Sequence, residues 1–170
     1  RPAGRVDGEG FSYGLDATGA ERLTVSQRTC RDSMSGMVFP LAAELVRRDG
    51  VRRGCAGEPS WLLEPGVFVV RAPGTTSAGG ASAPTLDFHR DGSLTGQGGC
   101  NRFRGSWSLT GEGLRIGSLA ATRRACPEPA MDREARFLRI LEAVRRFDLE
   151  AGDVLVLDGA EGSLRLRRDA

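Results

Sequence analysis

The stretch TLDFHRDGSLTGQGGCNRFRGSWSL, residues 85–109, decides how this chain is read. Leu86 and Phe88 alternate with Asp87 and His89, the two-residue period of a strand with one apolar face. Asp91 and Gly92 then signal a turn, and FRGSWSL continues as a further strand. Between the strands, Gly98 and Gly99 permit a tight backbone path, and Asn101 can bond loop backbone groups through its amide. Gly98, Gly99, Asn101 and Arg102 therefore form either a structural knot or a ligand loop. The knot is expected, and catalysis by Cys100 is not, because a disulfide-bonded sulfur is no nucleophile.

Outward from this segment the chain reads mainly as short strands. ERLTVSQ alternates, GVFVVRA is β-branched, and GLRIGSL, DVLVLDG and GSLRLRR each carry Gly or Asp in or beside them. MVFPLAAELVRRDGVRRGC suits strand, Asp-Gly turn and strand, although LAAELVRR is also compatible with helix. PGTTSAGGASAP, residues 73–84, reads as a loop. The one convincing helix spans residues 129–147, with Met131, Ala135, Leu138, Leu141 and Val144 as its apolar stripe. Phe137, Ile140 and Phe147 widen that stripe, Asp132 suits the amino end, and Arg145 and Arg146 suit the carboxyl end. Arg133, Arg136 and Arg139, interleaved with Glu128, Asp132, Glu134 and Glu142, read as a solvated helix face. A helix on a mostly antiparallel sheet is an α+β arrangement. The step at Pro65-Gly66 separates two expected domains, residues 1–63 and 66–170.

The composition is that of a globular protein: 170 residues, 39% hydrophobic and 27% charged. A net charge of +2 does not argue for nucleic acid. All 24 basic residues are arginine, a bias attributed to genome composition. No apolar run approaches the ~20 residues of a membrane-spanning helix. The chain starts at Arg1, so an upstream segment, a signal peptide or lipid anchor, is expected to have been removed. Four cysteines with a single histidine favour disulfides over a metal site. Cys30, Cys55, Cys100 and Cys126 allow three connectivities; joining sequence neighbours would close two loops of similar size. Disulfides imply an oxidising compartment, hence a periplasmic, outer-membrane-associated or secreted protein.

Three segments together carry a family resemblance. LDFHRDGSLTGQGGCNRFRGSW, LAATRRACPEPAMDREARFLRILEAV and DVLVLDGAEGSLRL follow one another as in META or HslJ-like domains, which residues 66–168 resemble. That family often places Trp on its first strand, where this chain offers Phe68. CRDSMSGMVFP and GCAGEPSWLL, in the first segment, resemble part of a poorly characterised bacterial envelope domain. The resemblance implies a partly barrel-like antiparallel sheet crossed by one helix, preceded by a small β-rich domain. It also implies one disulfide inside each segment, Cys30–Cys55 and Cys100–Cys126.

The function expected of such a chain is that of an envelope protein, not an enzyme, binding a protein, peptide or lipid during envelope stress or maintenance. A small hydrolase or inhibitor is the alternative. No cofactor is implied, and the oligomeric state stays open. His89 reads as a solvated strand end, and Ser33 and Ser35 as part of a turn that Asp32 also bonds. If the sheet is partly open, Leu86, Phe88, Trp107, Leu109, Leu155 and Leu157 are expected to line an apolar cleft.

Overall fold

The computed structural model describes residues 4–7, 10–64, 66–70, 83–151 and 153–169. The chain divides into two compact units, Arg1–Leu62 and Leu63–Ala170. The 73–84 loop expected from the sequence lies almost wholly outside the described residues.

The first unit is built on a five-stranded antiparallel sheet. Its strands are β1 (Gly4–Asp7), β2 (Gly10–Gly14), β3 (Arg22–Ser26), β6 (Leu41–Arg47) and β7 (Gly50–Ala56), paired in that order. Two short strands, β4 (Cys30–Arg31) and β5 (Val38–Phe39), form a separate hairpin. LAAELVRR is strand, not helix: β6 pairs with β3 on one side and β7 on the other. The Asp49-Gly50 turn joins β6 to β7, with Gly50 at φ +137°, a conformation that favours glycine. A single-turn 3-10 helix, Pro59–Leu62, ends the unit.

The second unit is a nearly closed antiparallel sheet. Its strands run β12 (Gly113–Ile116), β11 (Arg102–Thr110), β10 (Ser93–Gln97), β9 (Thr85–Phe88), β8 (Val67–Val70), β16 (Gly162–Arg168), β15 (Val154–Gly159) and β14 (Val144–Glu150). A ninth strand, β13 (Ala120–Ala121), pairs with β11. The two ends of the order, β12 and β14, lie against one another, and helix α1 (Glu128–Glu142) packs against β12 and β16.

Alternation fills the barrel interior. Leu86, Phe88, Leu94, Leu155, Leu157 and Leu166 are almost fully buried. Phe88 sits edge-to-face between Phe68 and Trp107, at centroid distances of 6.2 and 5.5 Å. Phe68 is itself fully buried and capped by the Arg168 guanidinium, so it fills the position for which a first-strand Trp was the family expectation. Trp107 satisfies its indole by donating Nε1–H to the His89 carbonyl at 2.9 Å.

Two expectations about the helix are corrected. It ends at Glu142, and residues 144–147 belong to β14. The cause is a bulge: the β14–β15 register shifts between Val144 and Arg146. A bulge inserts one residue, so Val144 and Phe147 are both buried from a strand while standing three apart, a spacing that imitates a helix. The buried stripe is also rotated. Glu134, Phe137, Ile140 and Leu141 face inward, Leu138 is half-buried, and Met131 and Ala135 are exposed. Arg145 still serves the helix end from its strand, donating to the Glu142 carbonyl at 3.2 Å.

Candidate functional site

The 96–102 segment is built around one carboxylate. Gly99, at φ +115°, turns the chain so that two successive N–H groups point the same way. The amides of Cys100 and Asn101 both donate to Glu134 Oε2, at 2.9 and 2.6 Å, and Asn101 Nδ2 donates to Glu134 Oε1 at 2.8 Å. The Asn101 side-chain oxygen accepts from Thr122 Oγ1 at 2.8 Å and from the Arg124 amide at 2.7 Å. The Cys100–Cys126 disulfide ties the same loop to the segment just before α1. Glu134 and Asn101 are both buried. Burial pushes the Glu134 carboxyl up, but the Asn101 amide, Asn101 side chain and Cys100 amide outweigh it and hold it below its ordinary range.

Every donor around Glu134 is thus committed to the fold, and this arrangement is a structural knot. Gly98 belongs to it for a steric reason: a Cβ there would meet Glu134 Cγ at 2.6 Å. Because hydrogen bonds pin that side chain, it cannot step aside. We expect Gly98→Ala to lower the second unit's stability by about 1–3 kcal/mol, measured by urea unfolding. Arg102 contributes backbone only, through Thr122, and its side chain is exposed.

The role of Glu134 corrects the reading of it as part of a solvated charged face. The signal was present: Glu134, Phe137 and Leu141 are spaced i, i+3, i+7, so an acid falls within the apolar stripe once the stripe is phased on the aromatic. Glu142, from the same set, accepts the Leu119 amide at 2.9 Å.

The expected apolar cleft is not open. Leu86, Leu155 and Leu157 have no exposed surface, Phe88 and Trp107 are buried, and Leu109 is half-buried. The near closure of the sheet and the helix across it leave these side chains packed on one another, so they form the core.

His89 lies at the end of β9, partly exposed, with Nε2 2.8 Å from Thr95 Oγ1 and 3.8 Å from Asp87 Oδ2. Both neighbours meet the same nitrogen, so the ring is not oriented as a relay between an acid and a hydroxyl. Ser33 and Ser35 lie in the other unit. Asp32 accepts the Met34 amide at 3.0 Å and the Ser35 hydroxyl at 3.2 Å, while Ser35 Oγ accepts the Met37 amide at 3.2 Å. The Met34 amide, despite some desolvation, is the main reason the Asp32 carboxyl lies below its ordinary range; the Ser35 bonds assist.

A concavity of about 690 Å³ lies within the first unit, a feature the sequence did not nominate. Register sets its floor on one face of the sheet: Thr24, Glu44 and Arg53 form one row, and Ser26, Ala42 and Cys55 the next. Its wall comes from residues 28–39, which the Cys30–Cys55 disulfide fastens to β7. Glu44 is paired with Arg53 at 2.9 Å. Short side chains at Ser26 and Ala42 leave the space open.

The barrel-with-helix geometry agrees with a family match: residues 62–170 fit the META domain. The chain belongs to the META domain family. This META protein is also similar to a solved NMR structure of a protein from Burkholderia xenovorans, at 26% identity and TM-score 0.53. That match covers 69% of this chain and 94% of the other. A second NMR structure matches at 25% identity and TM-score 0.52, covering 66% and 96%. No curated protein matches the chain. META domains point to a bacterial envelope-associated protein. Two disulfides fit an oxidising compartment. Among the described residues, no helix is long and apolar enough to cross a membrane.

Proposed function

We propose that this META protein is a non-catalytic binding protein of the bacterial envelope, and that its first unit carries the binding surface while the META unit is a stable scaffold. The observation carrying this reading is the contrast between the units. The polar groups singled out in the META loop are used internally, whereas the first unit holds a preformed concavity lined by both polar and apolar side chains. The serine and histidine candidates support a non-enzymatic role. Ser35 is held in the Asp32 turn, and His89 Nε2 lies against Thr95 and Asp87.

A role in envelope stress or maintenance belongs to the same proposal. It is tested by incubating the purified protein with ester, peptide and glycan substrates, and separately by isotope-edited NMR against envelope extract fractions. The expected result is no turnover, with amide shifts confined to the first unit. Turnover abolished by Ser33→Ala, Ser35→Ala or His89→Ala would establish the hydrolase alternative.

A further inference from the structure

We infer that the first unit's concavity takes an extended acidic peptide segment, with Arg28 pairing a carboxylate and Met34 covering a neighbouring apolar side chain. The inference rests on the proposed binding role and names the class of its ligand. Among the described residues, three arginines, Arg28, Arg31 and Arg53, line the space against two acids, Asp32 and Glu44. The acids are occupied: Glu44 by Arg53, and Asp32 by the amides and hydroxyl of its own turn. Arg31 donates to the Gly36 carbonyl at 3.0 Å. Arg28 lines the same space with its charge balanced by neither acid, so the concavity offers a cation to a ligand.

The second observation is Met34. It is 95% exposed, yet it stands on a turn fixed by the Asp32 bonds, by Gly36 donating to the Asp32 carbonyl at 2.9 Å, and by the adjacent disulfide. A rigid turn that presents an unbranched, polarizable side chain to solvent is an adaptable apolar contact. The floor crosses three strands, a width of about 10–15 Å, which matches three or four extended residues. Thr24 and Ser26 break that floor with hydroxyls, which interrupt the continuous apolar lining an acyl chain needs. Thr24 Oγ1 lies 3.3 Å from Ser12 Oγ and Ser26 donates to the Ala42 carbonyl at 3.5 Å, so each keeps only its remaining capacity for a peptide group.

The test uses the whole chain and a fluorescein-labelled peptide alternating glutamate and leucine, about four residues long to span that width. Binding is read by anisotropy and mapped by amide shifts. We expect saturable binding that shifts the amides of Ser26, Ala42 and Gly54. Raised salt should weaken it. Arg28→Ala should weaken it about three- to ten-fold, and Met34→Ser about three-fold. Arg28→Glu should abolish it. Arg28 and Met34 are surface positions, and retained amide dispersion confirms that each variant folds. No saturable binding of the acidic peptide, or binding indifferent to Arg28, overturns the inference. The lysine–leucine counterpart and phosphatidylglycerol vesicles then separate the two failures. If either shifts the same amides, the concavity is a binding site of another class, and the broader reading survives. If none does, both readings fall.

Discussion

Replacing Glu134 by alanine lowers the unfolding free energy of the META unit by about 3–5 kcal/mol, because it orphans three buried donors at once. The Cys100 and Asn101 amides lose their carboxylate acceptor, as does one hydrogen of Asn101 Nδ2, whose other bond is the longer one, 3.4 Å, to the Arg124 carbonyl. Glu134→Gln distinguishes charge from geometry. The glutamine oxygen can still take the two backbone amides, but its NH₂ group then faces Asn101 Nδ2, donor against donor. A smaller loss, about 2 kcal/mol, is expected. The sign of the pH dependence follows from the depressed carboxyl. Its contribution is fully present above the ordinary glutamate value and is lost as pH falls through the lower folded value. The gap between wild type and Glu134→Gln should therefore narrow on acidification below about pH 5, as read by urea unfolding at a series of pH values. A gap that stays constant or widens would mean that Glu134 is not held as a carboxylate.

Removing Cys30–Cys55 by paired serine substitution is expected to unfold the first unit, while removing Cys100–Cys126 leaves the META unit folded but weaker. The two bridges close loops of nearly equal length, with sequence separations of 25 and 26. Loop entropy therefore assigns each about 3.5 kcal/mol. What differs is the core. Among the described residues of the first unit, Val25 and Val38 are the only buried large apolar side chains, and Phe11, Tyr13, Leu15 and Trp61 are exposed. The META unit buries leucines from several strands together with Phe68, Phe88 and Phe137. A small domain with so thin a core depends on its staple. Amide spectra of the two double-serine variants check this: loss of dispersion for the first unit alone in one, and a lowered Tm with dispersion retained in the other. A first unit that stays dispersed without its bridge would show that packing suffices there.

Local alternation and Asp-Gly turns dictate the strand-rich architecture, so it is legible in the sequence. TLDFHRDGSL could not place Leu86 and Phe88 on one face in any other regular form, and β9 and β10 pair across that turn. The sequence also carried the family order from Phe68 to the last strand. It did not determine where the helix stops, since Val144 and Phe147 keep a helical spacing that only the β-bulge against β15 reveals as strand. Nor did it determine the role of Glu134. One acid among several that alternate with arginines reads as solvated until the chain places two loop amides against it from more than thirty residues away. Whether the apolar alternation lined a cleft or a core depended on closure, which is a property of how β12 meets β14 and of no single strand. The concavity of the first unit is the same kind of fact: Arg28, Ala42 and Cys55 converge only after pairing register and a disulfide bring three distant segments onto one face. Local periodicity is written in neighbouring residues, whereas partners for buried polar groups and open space between segments exist only once the chain has closed on itself.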